Sequence, residues 1–126
     1  MFTDAMTNLF TPDIDRATAF YRDLVGFTQT FQYPATGQPE HAEFRLGTFT
    51  LALSSVEAAR TVSLPEPRPG NPAELVVWCD DVDAELAKLT AAGTPVLVEP
   101  FEHVAGHRRA SVADPDGNWV TLVGEH

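Results

Sequence analysis

Apolar positions along the chain switch between two periods, and the switches mark out its elements. Met6 to Thr11 reads as a strand, after which Ala17, Phe20, Tyr21 and Leu24 fall at i, i+3, i+4 and i+7, one face of a helix. Asp13 stands where a side-chain oxygen can cap that helix, and Gly26 where a left-handed residue can end it. Phe27 to Tyr33, His41 to Leu46 and Phe49 to Ser54 then read as three strands, the last two joined at Gly47-Thr48.

The same order returns further on. Asp13-Ile14-Asp15 recurs as Asp81-Val82-Asp83, and Gly26 recurs as Gly93, each pair enclosing a helical pattern. Leu75 to Cys79 is a strand, Val82 to Ala92 a helix capped by Asp81, and Val96 to Glu99, Arg108 to Ala113 and Asn118 to Val123 are strands. Asp114-Pro115-Asp116-Gly117 supplies the backbone angles of the last turn. Between the units, prolines 65, 67, 69 and 72 exclude helix and inner strand, which predicts a stiff linker.

The expected division is a first module over residues 1–60, a proline-rich linker over 61–73 and a second module over 74–126, all within one α+β domain. A sheet that puts one face against its helix leaves the other free to curl around a ligand.

Composition narrows the partners. The chain has 126 residues, 44% of them hydrophobic, enough for one ordinary soluble core. Its net charge of −10 opposes a phosphate backbone, so nucleic acid is not an expected partner, and it favours a cationic ligand. The first eight residues lack a basic stretch followed by an apolar run, and the longest apolar run is Leu75 to Cys79. No signal peptide or membrane span is therefore expected. With one cysteine and no internal disulfide to make, the reading is cytoplasmic.

Asp13 to Phe27 (DIDRATAFYRDLVGF) resembles the first-helix signature of the vicinal-oxygen-chelate superfamily, which includes glyoxalases, bleomycin-resistance proteins and extradiol dioxygenases. Asp114-Pro115-Asp116-Gly117-Asn118 is similar to that superfamily's turn before the last strand. The resemblance implies two βαβββ modules whose strands form a cupped eight-stranded mixed sheet, with helices on the outer face and ligand in the cup. It also implies a homodimer, in which modules can be exchanged between chains.

In the superfamily's metalloenzymes, His, Gln or Glu ligands come from the first and last strand of each module. The resemblance places those positions at Met6, Ala52, Glu74 and Thr121. One carboxylate and one hydroxyl fall short of the three protein ligands a catalytic divalent metal generally takes, so no metal or other cofactor is expected. Among metal-free members the chain is most similar to the bleomycin-resistance proteins, in Asn71 to Leu89 and in Asp114 to Glu125. That similarity implies reversible capture of an aromatic antibiotic or natural product in an acidic cleft, a drug-resistance role with no catalytic residue.

Strand alternation then gives an expected lining of Met6, Asn8, Phe10, Glu74, Trp78, Trp119 and Thr121, able to stack a flat ring on indoles and hold a cation near Glu74. Trp78 and Trp119 are open between stacking platform and core, and Glu74 between the cup and solvent at the linker's end. Two enzyme readings stay beside this one: a metal-free isomerase or lyase with Glu74 as general base facing Thr121, and a metal-dependent lyase or dioxygenase whose ligands lie a residue away. His103 and His107 read as loop residues at a cleft mouth, Cys79 as an inert core thiol, and His41 and His126 as surface residues. Arg108 and Arg109 should face opposite ways and form ordinary ion pairs.

Overall fold

Two short polar signals start the helices that organise the chain. Asp13 accepts from the Arg16 N–H at 3.1 Å, and Asp81 accepts from the Ala84 N–H at 3.0 Å, each a side-chain cap on a first turn. A computed structural model describes residues 1, 3–103 and 106–125, and the chain divides into two compact units at Arg68–Pro69. Each unit is a four-stranded mixed sheet, the first with helices at Ile14–Thr18, Ala19–Val25 and Val56–Thr61, the second with a helix at Val82–Ala91.

The first unit contains β1 (Thr7–Thr11), α1 (Ile14–Thr18) continuing as a π-helical segment (Ala19–Val25), β2 (Thr28–Tyr33), β3 (His41–Leu46), β4 (Phe49–Ser55) and α2 (Val56–Thr61). Its strand order is β1-β4-β3-β2, with β1 and β4 parallel and the other neighbours antiparallel. The second unit contains β5 (Glu74–Trp78), α3 (Val82–Ala91), β6 (Val96–Glu102), β7 (His107–Ala113) and β8 (Trp119–Glu125), in the order β5-β8-β7-β6 with β5 and β8 parallel. The expected strand, helix and three strands are present in both. Among the described residues no helix is long and apolar enough to cross a membrane.

Register decides which residues face the helices. In the first sheet Ala42 pairs with Leu53 and Phe44 with Leu51, and these four are buried together with Ile14, Ala17, Phe20 and Tyr21 of the first helix. In the second, Ala110 pairs with Leu122 and Val112 with Val120, buried with Val82, Leu86 and Leu89 of α3. The residues between them point to the opposite, open face of each sheet.

Four local departures from the sequence reading have identifiable causes. The π-helical segment donates the Gly26 N–H to the Tyr21 carbonyl, five residues back. Its wider turn rotates Leu24 off the apolar stripe, leaving it 36% exposed where a regular helix would bury it. The helix α2 was not anticipated: Ser55 turns from strand to N-cap, its Oγ accepting from the Ala58 N–H at 3.2 Å. β6 runs on through Pro100, tolerated because β6 lies at the sheet's edge, where register shifts twice. His107 belongs to β7 and not to a loop.

At Gly124 the backbone of β8 passes so close to the end of β5 that an added Cβ would lie 2.7 Å from the Cys79 carbonyl oxygen. That spacing accompanies the hydrogen bond from the Cys79 N–H to the Val123 carbonyl, 2.9 Å. Gly124→Ala must push these strands apart, with an expected cost of about 1–3 kcal/mol, measurable as a lower denaturant midpoint.

Candidate functional site

The open face of the second sheet carries most of the chemistry expected there. Pairing sets Glu74 opposite Trp119, Val76 opposite Thr121 and Trp78 opposite Val123, so all six side chains share that face. Both indoles lie outside the core, Trp78 65% exposed and Trp119 44%, whereas Thr121, expected in the lining, is fully buried beneath its neighbours on that face. Val98 and Phe101 of β6 pair with Ser111 and Arg109 on the same face and are also exposed.

Polar groups here are already linked. The Thr121 hydroxyl donates to Glu74 Oε2 at 2.6 Å, so at the 2.8 Å contact between Ser111 and Thr121 it is Ser111 that donates. Arg109 donates to the same Glu74 oxygen at 3.4 Å. Glu74 is thus on the face, as expected, but its charge already has a guanidinium beside it. The Trp78 ring meets His107 edge to face, centroids 5.2 Å apart. Arg108 faces the helix side, donating to Asp83 and Glu102 and holding the Asp83 carboxyl below its usual range, so the two arginines do face opposite ways.

The first unit has a cleft of its own, about 270 Å³, between its open sheet face and α2 with the segment that follows. Asn8 and Phe10 line it, joined by Tyr33, His41, Ser54 and Ala58 among others. Met6 is not among them: it precedes β1 and is 49% exposed. His41 is no surface residue. It is half-buried, Nδ1 2.8 Å from Ser54 Oγ and Nε2 2.8 Å from Glu43 Oε2, and Ser54 Oγ donates to Asn8 Oδ1 at 2.9 Å.

Sequence reasoning missed Ser54 and Glu43. The alternation of His41 and Glu43 already placed both on one strand face, but Ser54 reaches them only through the pairing of β3 with β4. His126 lies outside the described residues, and His103 donates its backbone N–H to the His107 carbonyl at 2.7 Å.

At the four positions where a superfamily metal would be held, Met6 is exposed ahead of its strand and Ala52 is buried without a donor atom. Glu74 and Thr121 are bonded to each other, with Arg109 adjoining. This donor set does not fit a catalytic divalent cation, and a guanidinium on the one carboxylate opposes it further. Among the described residues no three His, Cys, Asp or Glu side chains come together as a metal cluster. Cys79 is half-buried at the end of β5; burial, then the charge of Glu85, pushes its thiol up, which keeps it protonated and unreactive near neutral pH.

Comparison with known proteins agrees with the architecture. The family model described as Glyoxalase/Bleomycin resistance protein/Dioxygenase superfamily matches residues 5–122. A protein of Mycobacterium tuberculosis named "Putative glyoxylase CFP32" is 34% identical over 111 residues, which are 86% of this chain and 39% of that protein. The chain therefore spans about two-fifths of that relative's length. A glyoxalase/bleomycin resistance protein/dioxygenase family enzyme from Burkholderia phytofirmans superposes with a TM-score of 0.83 at 23% identity, covering 96% of this chain and 97% of that one. A glyoxalase-related enzyme from Fulvimarina pelagi gives 0.80 at 25% identity, covering 99% and 89%.

Proposed function

We propose that this chain, which belongs to the Glyoxalase/Bleomycin resistance protein/Dioxygenase superfamily, captures a flat, aromatic, cationic small molecule reversibly and leaves it unaltered. The observation that carries the proposal is the pair of exposed indoles on the open face of the second sheet. Strand tryptophans ordinarily fill the core, because each buries a large apolar area. Here Trp78 and Trp119 stand on one face with exposed Val76 between them, at the edge of the sheet formed by β5 and β8. Large aromatic side chains left exposed side by side in this way mark a place where something binds.

Trp119 lies beside Glu74 on the neighbouring strand and Trp78 four residues further along β5, which sets the indoles roughly 14 Å apart and suits three or more fused rings laid across Val76. Indole faces attract cations, and a protein of net charge −10 concentrates them. Glu74 is the carboxylate within that surface, and a ligand ammonium would take over the place Arg109 now holds.

Tryptophan fluorescence during titration with planar natural products, followed by mass spectrometry of each ligand, tests this. Saturable quenching with the ligand recovered unchanged is the expected result, and Trp78→Ala or Trp119→Ala should weaken binding about tenfold. Conversion of the ligand would make the chain an enzyme of the superfamily, and absence of binding across the panel would sink the proposal.

A further inference from the structure

We propose that the cleft of the first unit is an acyl-transfer site for compact carboxylic esters, with Ser54 as nucleophile, His41 as its base and Glu43 as the residue that orients the base. The inference concerns side chains outside the tryptophan face and stands on their geometry. His41 lies between an acceptor and a hydroxyl: Nε2 is 2.8 Å from Glu43 Oε2 and Nδ1 is 2.8 Å from Ser54 Oγ. A carboxylate only accepts, so the Nε2 side of the ring carries a proton. When His41 holds a single proton, Nδ1 is therefore an unprotonated acceptor aimed at the Ser54 hydroxyl.

That is the arrangement an activated serine requires: nucleophile and base within hydrogen-bond reach, and the base fixed by a third group. With two protons on the ring, Nδ1 donates to Ser54 instead, and the serine hydrogen goes to Asn8 Oδ1 at 2.9 Å. Ser54 has an acceptor for its proton in either state. All three contacts are made on one sheet face, since His41 pairs with Ser54 in register, Glu43 follows two residues on, and Asn8 lies on β1 beside β4.

A network that merely joined strands would have no need of a cavity. This one opens into the cleft, which Asn8, His41 and Ser54 line, with Phe10, Ala58, Val62 and Leu64 as its apolar walls. At about 270 Å³ the cleft falls just below the ordinary range for drug-sized ligands, which limits the acyl group to a small one.

The steps balance without any redox partner. Ser54 Oγ bonds to the ester carbonyl carbon as its proton passes to His41 Nδ1; the bond to the alcohol oxygen then breaks, and the alcohol leaves with that proton. Water adds to the acyl-serine, giving its proton to His41, and the carboxylic acid departs as Ser54 is protonated again.

The test is labelling of the whole chain with a fluorophosphonate, with peptide mapping, alongside hydrolysis of p-nitrophenyl acetate. One adduct at Ser54 is expected, lost in Ser54→Ala. His41→Ala should slow ester turnover about 10²–10⁴-fold and recover part of it with added imidazole, which a structural role for the ring would not produce. Glu43→Gln should reduce turnover with KM little changed. Wild-type protein that acquires no adduct at Ser54, or that hydrolyses the ester no faster than Ser54→Ala, overturns the proposal; the wild-type mapping decides the matter even if a variant fails to fold.

Discussion

Phe44→Ala is expected to lower the free energy of unfolding by about 3–5 kcal/mol. Phe44 is fully buried in β3, paired with Leu51 on the helix-facing side, and the strands on either side are antiparallel partners that hold its backbone in place. Truncation removes the transfer energy of the ring and leaves a cavity that the ladders prevent from closing. Phe44→Leu, which refills most of that space, should cost far less. Chemical denaturation followed by circular dichroism measures both; a loss below about 1 kcal/mol for Phe44→Ala would mean that the helix and sheet collapse freely onto the gap.

Asp114→Ala should cost about 2–3 kcal/mol, through hydrogen bonds and not packing. The Asp114 side chain is nearly buried, and Oδ1 accepts the N–H groups of Asp116 and Asn118 at 2.8 Å each while Oδ2 accepts from Asn118 Nδ2 at 2.8 Å. These bonds shape the turn between β7 and β8 that includes Gly117 with φ 86°, so the register of the last strand depends on them. Alanine leaves those donors without the carboxylate, whereas Asp114→Asn keeps an acceptor for the two backbone groups and gives up the contact with Asn118. The two variants should therefore separate in thermal midpoint, with asparagine the milder; equal midpoints would show that solvent replaces the carboxylate without cost.

What the sequence made legible were signals carried within a few residues. Asp13 and Asp81 cap helices because the donor they satisfy lies three residues ahead, and Gly26 ends its helix by a backbone preference of its own. The repeat of those signals was enough to expect two like modules. Alternation along β5 and β8 likewise put Glu74 and Trp78, and Trp119 and Thr121, on common faces, since a strand's period leaves no other choice once one residue is placed.

Illegible were the features that depend on length or on distant partners. Six residues of α2 are under two turns, too few to display a helical period, although Ser55 ahead of Glu57 and Arg60 was a weak start and stop signal. The π-helical turn shifts Leu24 by a fraction of a turn that no 3.6-residue pattern records. His41 looked like a surface histidine because nothing near it in sequence announces Ser54, thirteen residues away, or Asn8, on a strand that joins the sheet from the far side of the helix.

The irregular outer strands have a consequence of a different kind. β2 slips register between Gln29 and Phe31, and β6 slips twice and contains Pro100, which has no N–H to offer. A fibril grows when a straight, evenly spaced row of backbone groups meets another like it, and these two borders present no such row. Folded molecules crowded together therefore have no start for cross-β growth along β2 or β6, whatever the apolar side chains on the sheet faces do.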